Sequence, residues 1–153
     1  MEKIPILICG TRTFDLGLIL PYVLGPTILP IIHQVEIVEG GSEVWNGKEY
    51  VHSGADYQAE LFAKYYGLRH KQFKADWLIH GRAAGPKRNT EMASYVKSFD
   101  RYYAFAFWDG RSRGTVDMMS KVKCTMHQYL PLDLYFKPLL MEWQDKFKYA
   151  CRR

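Results

Sequence analysis

Ile4-Pro5-Ile6-Leu7-Ile8-Cys9 is an unbroken apolar run that stops at Gly10-Thr11. A strand with one wet face alternates apolar and polar residues, so a run that is apolar throughout marks a strand covered on both faces. Such strands sit in the middle of parallel sheets. Val35-Glu36-Ile37-Val38 is a second β-branched run, and it too ends in glycines, Gly40-Gly41. Between them, Leu16 to Ile32 is mostly apolar but carries Pro21, Pro26 and Pro30. Three prolines break the backbone ladder that hydrocarbon demands, so this stretch reads as a buried helix or a subunit interface, not a membrane span.

The pattern repeats further on. Ser53-Gly54-Ala55-Asp56 precedes a helix over Tyr57 to Tyr66, where Ala59, Phe62, Ala63 and Tyr66 recur at helical spacing and Gly67 is the stop. Arg69 to Ala75 is a charged strand suited to a sheet edge. A helix over Arg88 to Lys97 follows, then an apolar strand from Tyr102 to Trp108 and a helix from about Thr115 to Val122. Pro138 to Ala150 forms a last helix that packs back on the body. Alternating strands and helices specify an α/β fold, a three-layer sandwich around a mostly parallel sheet. With 153 residues and 48% hydrophobic side chains, the chain suffices for one domain with a full core. One segment departs from the rhythm. Between two β-prone runs, residues 43–51 place Asn46-Gly47, the signal of a two-residue hairpin turn. The inserted β-hairpin is either an ornamental loop, a dimer contact, or a flap that brings Trp45 or Tyr50 over a ligand.

Charge is divided unevenly. Through Asp76 there are 7 basic and 9 acidic residues, a net −2; from Trp77 there are 14 and 7, a net +7. Anions therefore favour the second half, whether nucleic acid or a phosphorylated small molecule. Cys9, Cys124 and Cys151 are odd in number and far apart, which fits thiols in a reducing cytoplasm. The opening residues have no signal-peptide pattern, so the expected location is cytoplasmic.

In an open parallel sheet the ligand crevice lies outside the carboxyl ends of the strands. The strand ends here are Gly10-Thr11-Arg12, then Gly40-Gly41-Ser42 and later Ser53-Gly54-Ala55-Asp56, then Trp108-Asp109-Gly110 through Ser112, Gly114 and Thr115. Glycines let backbone N–H groups approach an anion, and the helix starts add partial positive charge. Neither GxGxxG nor the GxxxxGK[ST] loop follows the first strand, so ordinary NAD binding and triphosphate hydrolysis lose support. Asp76-Trp77 leads to a basic helix start at about Pro86, where Arg82, Lys87 and Arg88 can face one anion, with Asn89 beside them. Trp108, Trp77 or the hairpin aromatics supply contacts to a base or ribose, and Asp56 and Asp109 acceptors for ribose hydroxyls. The five histidines show no metal-ligand spacing, and no cysteine or serine stands in a nucleophile motif. No cofactor or metal is expected.

Cys9-Gly10-Thr11-Arg12, Gly54-Ala55-Asp56, Ala75-Asp76-Trp77, Gly81-Arg82-Ala83-Ala84-Gly85-Pro86-Lys87-Arg88-Asn89 and the run from Ala106 to Thr115 resemble the YspA, YpsA-related branch of the SLOG superfamily. The resemblance covers about Ile4 to Val122. It implies a Rossmann-like fold with strand order 3-2-1-4-5 and a pocket for nucleotides or nucleotide-derived ligands such as ADP-ribose derivatives or cyclic nucleotides. The hairpin separates Gly40-Gly41 from Ser53-Gly54-Ala55-Asp56, stretches that usually adjoin in that branch.

The related LOG phosphoribohydrolases cleave a base from a nucleoside monophosphate, with an Arg-Lys pair, a nearby Met, and a Gly-Thr followed by a catalytic glutamate. This chain is similar at Arg88, Met92 and Gly114-Thr115, but has Asn89 for the lysine and Met118 for the glutamate. A thioether can neither activate water nor stabilise an oxocarbenium ion. Binding of a nucleotide-derived small molecule without turnover is the favoured expectation. Hydrolysis through Arg88 with Asp117, Asp109 or Asp56 is the alternative. Single-stranded DNA binding, as in the DprA relatives, is the least favoured. The LOG relatives dimerise near the crevice, and the apolar Leu16–Ile32 stretch needs cover, so a homodimer or larger assembly is expected.

Overall fold

The computed structural model describes residues 2–14, 19–128 and 137–152. Five strands form one all-parallel sheet: β1 (Ile4–Gly10), β2 (Val35–Glu39), β5 (Arg69–Gln72), β6 (Tyr103–Trp108) and β7 (Thr125–Gln128). Two more, β3 (Glu43–Trp45) and β4 (Tyr50–His52), pair antiparallel as a separate hairpin. The sheet runs β5-β2-β1-β6-β7, which is order 3-2-1-4-5 once the hairpin is set aside. The fold is thus the expected Rossmann-like sandwich.

β1 is central, in register with Val35–Val38 on one side and Tyr103–Phe107 on the other. Its side chains alternate between two cores, as two-face burial requires. Ile4, Ile6 and Ile8 join Phe105, Phe107 and Ile37 under α1 (Ile19–Ile28), α2 (Gly54–Tyr66) and α6 (Lys137–Cys151). Leu7 and Cys9 join Val38, Ala104 and Ala106 under α4 (Ala84–Lys97) and α5 (Arg113–Lys121), which contribute Met92, Val96 and Met118. α2 ends where Gly67 takes φ +67° and returns its N–H to Ala63 and Lys64 carbonyls.

Three features differ from expectation. The apolar stretch does not need a second subunit to cover it. Its described part, α1 and the 3₁₀ turn Leu29–Gln34, is packed by α6, and Gly25 is small because Trp143 lies on it: a Cβ there would sit 2.3 Å from Trp143 Cζ3. Residues 16–18 of that stretch fall outside the described residues. The hairpin turn is offset by one residue. Asn46 N–H donates to Glu49 O, so Gly47 and Lys48 occupy the turn, and Asn46 Oδ1 accepts the Lys48 and Glu49 N–H groups. An Asn side chain that caps the turn in this way replaces the Asn-Gly central pair. Finally, Trp77–His80 forms a short helix, α3, ahead of the one helix start expected in this segment, at about Pro86; Asp76 caps it through Oδ1 to the Ile79 N–H at 3.1 Å. Among the described residues no helix is long and apolar enough to cross a membrane.

Candidate functional site

The carboxyl end of the sheet opens into a hollow of about 360 Å³ between the ends of β1, β2 and β6, the start of α5, and the second and third turns of α4 at Arg88, Asn89 and Met92. Its first wall is the turn after β1. Thr11 donates its N–H to Phe107 O at 2.9 Å, and its carbonyl accepts the N–H groups of Phe14 and Ala55. The Thr11 hydroxyl oxygen accepts the Asp109 N–H at 3.0 Å, which ties the ends of β1 and β6 together. Two glycines make this closeness possible. A Cβ on Gly10 would lie 2.4 Å from Phe107 O; one on Gly54, where φ is +72°, would lie 2.4 Å from Arg12 Cα. The backbone at Arg12 therefore rests directly on the start of α2.

The second wall is β2 and the segment after it. Glu39 is fully buried; its Oε2 accepts the Gly41 N–H at 2.6 Å and its Oε1 accepts from Gln72 Nε2 at 2.8 Å and faces His70 Nε2 at 2.9 Å. This fixes Gly40-Gly41-Ser42. Asp56, also buried, accepts both the Ser42 N–H and hydroxyl through Oδ2. Burial pushes the Asp56 carboxyl above the usual carboxylate range, and the Glu39 charge adds to this, while Arg88 and Ser42 draw it back.

The basic wall comes from α4 and α5. Arg88 donates to the Gly40 carbonyl through Nη1 and to Asn89 Oδ1 through Nε at 2.9 Å. Gly40 has no room for a Cβ beside that guanidinium. Asn89 in turn donates to Gly114 O at 3.2 Å and to Asp117 Oδ2 at 3.0 Å, so it links α4 to α5. Ser112 caps α5 through its side-chain oxygen, and Arg113, Gly114 and Thr115 open the helix onto the hollow. Asp109 closes the loop before it by accepting the Ser112 and Arg111 N–H groups at 2.8 Å each, bonds that hold its carboxyl below the usual range.

Of the residues singled out in the sequence, Gly10, Thr11, Arg12, Asp56, Arg88, Asn89, Asp109, Ser112, Gly114 and Thr115 line this one hollow. Gly54 and Ala55 lie behind it and support the Thr11–Arg12 turn. Ser53 precedes α2, with its N–H on Ser42 O, and Gly41 holds the rim through Glu39. Trp108 is turned to its own loop, donating Nε1–H to Ser112 O, and Gly110 at φ +86° shapes that loop. Asp76 and Trp77 line a different hollow, and Arg82 lies exposed on the 3₁₀ turn Gly81–Ala83. Met118 does face the first hollow, and Asp117 is not among its lining residues; Asp117 pairs with Lys121 at 2.8 Å. The wall thus offers the Met118 thioether and not the Asp117 carboxylate. Gly40 and Ser42, on either side of Gly41 at the second strand end, line the hollow too, while Thr13 and Arg113 line it without having been singled out. For Arg113 the Arg-Ser-Arg-Gly-Thr run was the available signal. Cys9 also lines it, but burial and its shared hydrogen bond with Cys124 raise its thiol well above the ordinary range, which suits packing and not attack.

Beside the hollow, His52 at the end of β4 stands between two carboxylates. Its Nδ1 meets Glu60 Oε2 at 2.5 Å, while Nε2 is 3.5 Å from Glu39 Oε2, an ion-pair distance too long for a well-formed hydrogen bond. Donor atoms of Glu39, His52 and Glu60 lie within 4.8 Å of one another. Since Glu39 is already bound by Gly41, Gln72 and His70, the group works as a brace that joins the hairpin to β2 and α2. Compared with known protein families, with curated proteins and with solved structures, the chain finds no match in any of the three.

Proposed function

We propose that the protein binds a phosphorylated, nucleotide-derived small molecule in the hollow at the carboxyl end of the sheet, in the manner of a SLOG-type sensor or sequestering protein. The observation that carries this reading is convergence. Four separate stretches, the loops at Gly10–Arg12, Gly40–Ser42 and Ser112–Thr115 and the Arg88–Asn89 turn of α4, meet around one space with the start of α5 and three arginines, Arg12, Arg88 and Arg113. Backbone N–H groups at a helix start favour an anion, and a guanidinium supplies charge-assisted hydrogen bonds to phosphate. Arg88 is held in place before any ligand arrives, by Gly40 O and Asn89, so little side-chain freedom is lost on binding.

Calorimetry against ADP-ribose, AMP and a cyclic nucleotide tests the reading. Wild type should bind at least one of them, and Arg88→Ala should weaken that affinity roughly ten- to hundredfold, the size of a charge-assisted hydrogen bond. An absence of wild-type binding across the panel would falsify the proposal.

A second reading, N-glycosidic hydrolysis, rests on Asp56: a buried carboxyl of raised pKa on a pocket wall has the character of a general acid. It requires release of free base from AMP that disappears in Asp56→Asn. The reading sets the protein in the cytoplasm, where nucleotide ligands and free thiols coexist. A homodimer remains part of it. With α1 covered by α6, the dimer must use another face, and light scattering of the purified chain reads the number of copies directly.

A further inference from the structure

A second, larger hollow of about 840 Å³ lies next to the first, and Arg12 lines both. It is enclosed by the turn after β1, the inserted hairpin, and the segment from Lys74 to Leu78. Trp77 is half exposed, with its ring against the start of α4: a Cβ on Gly85 would lie 3.3 Å from Trp77 Cη2. The Arg12 guanidinium stands 5.7 Å from the Trp77 ring centroid, within cation–π range. Across the hollow, the exposed Tyr50 ring is steadied by an edge contact with Trp45, centroids 5.2 Å apart. Glu43, paired with Lys74, and Asp76 add carboxylates to the same walls.

These walls combine what a nucleoside needs and the first hollow lacks. Flat aromatic faces stack on a base, and carboxylates accept hydrogen bonds from an exocyclic amino group. The first hollow is the smaller and the more polar of the two, suited to phosphate and sugar, whereas the second alone reaches the upper part of the roughly 300–1,000 Å³ range of ligand sites. Arg12 stands where they meet, in reach of charge on either side.

We infer that the second hollow is a nucleoside subsite: the ligand is two-ended, with a phosphosugar end in the first hollow and an amino-bearing base stacked on Trp77 beneath the hairpin. Arg12 spans the phosphates between. This rests on the phosphate-binding reading above, and it gives the inserted hairpin a role in recognition.

The test compares ribose 5-phosphate, which has no base, with ADP-ribose and its inosine analogue, which lacks the exocyclic amino group, by calorimetry. Wild type should bind ADP-ribose roughly tenfold or more tightly than ribose 5-phosphate, the size of one base–aromatic stack. Trp77→Ala should remove that advantage, with Trp77→Phe retaining most of it, and Glu43→Gln should narrow the preference for ADP-ribose over the inosine analogue. Arg88→Ala should weaken both phosphosugar probes. Equal binding of ADP-ribose and ribose 5-phosphate by wild type, still lost in Arg88→Ala, overturns the nucleoside subsite and leaves the phosphate site intact. No binding of any probe removes both. An oligo(dA) strand that outcompetes ADP-ribose, depends on Trp77 and weakens steeply with salt reassigns the hollow to single-stranded nucleic acid and overturns the proposal. Thermal melts of each variant separate loss of fold from loss of binding.

Discussion

The two hollows share Arg12 and little else. Apart from the long side chains of Arg12, Arg88 and Arg113, the first is walled by backbone and by short or buried side chains, many tied to a second element: Thr11 to the end of β6, Asp56 to Ser42, Asn89 to α5, with Glu39 behind them holding the glycine rim. The second is walled by long side chains standing in solvent, Trp77, Tyr50 and Lys74 among them. The first site is therefore part of what holds the fold together, and the second is laid upon a fold that stands without it. Substitutions that would break this contrast are those in which the rule of large fold effects at the first hollow and small ones at the second fails.

The largest effect belongs to Glu39→Ala. It strips a fully buried carboxylate from the Gly41 N–H, Gln72, His70 and His52 at once. Leaving buried donors without acceptors should lower stability by about 3 kcal/mol or more, read as a fall in the urea midpoint. Gly54→Ala comes next. Its φ of +72° is strained for alanine, and the added Cβ meets the Arg12 and Thr11 backbone, which cannot swing aside. A loss of about 2–4 kcal/mol is expected, together with weaker phosphate binding because the Arg12 turn is displaced. At the second hollow, Trp77→Ala should shift the same midpoint by less than about 1 kcal/mol, since half of the ring is already in water. A loss of Gly54 size there would abolish the contrast.

The elements that could be read in advance are those whose residues report their own burial. β1, β2 and β6 are apolar on both faces, and glycine stops mark where chains approach closely, so the central place of β1 and the wall at Gly10, Arg12 and Gly114 were legible, as was Arg88 from its basic helix start; the strand order came from the resemblance. β7 was not, because Thr125-Met126-His127-Gln128 has no apolar pattern and is a strand by pairing with Phe105–Trp108. Nor was the cover of α1 by α6, which depends on Trp143 finding Gly25 across more than a hundred residues. Glu39 went unread for a similar reason. A lone Glu after a strand looks solvent-facing, and only the tertiary fold sets two histidines, a glutamine and a glycine N–H around it. Trp77 and Trp108 show the converse: both were visible as aromatics near strand ends, yet one lines the neighbouring hollow and the other braces its own loop.

The hairpin that roofs the second hollow is held by the His52 brace, which makes its attachment dependent on pH. Despite burial, Glu39 and Glu60 hold the His52 imidazole above its ordinary value, and the two carboxylates are held below theirs. For the histidine, the stabilisation is complete below its unfolded pKa of about 6.5 and disappears as pH rises through the higher folded value. For the carboxylates it is present above about 4.5 and disappears as pH falls through their depressed folded values. The other groups facing the brace are His70 on Glu39, Lys64 on Glu60 and the Tyr57 ring, 5.2 Å from His52. Hydrogen exchange of the β3–β4 amides should thus speed up from pH 6 to pH 8 beyond the intrinsic base-catalysed rise. His52→Gln should flatten that excess while the β1 amides stay protected in both proteins. An excess that persists unchanged in His52→Gln would place the pH dependence elsewhere.

The smallest effect marks the limit of the contrast, because it sits inside the first hollow. Gly114 lies in the opening turn of α5, and a Cβ there would meet nothing within 4 Å. Its backbone has no positive φ, so alanine fits without strain and should leave stability unchanged or raise it by up to about 1 kcal/mol, as helix propensity and a less flexible unfolded chain both favour it. Gly54→Ala and Gly114→Ala add the same methyl group at two helix starts on one site, yet they should move the melting temperature in opposite directions. If Gly114 is there to let phosphate approach the helix start, its alanine variant melts like wild type or higher while phosphate-bearing ligands bind more weakly. A variant that is neutral in both assays assigns that glycine no part in binding, and the anion then rests on the arginines and the Arg12 turn.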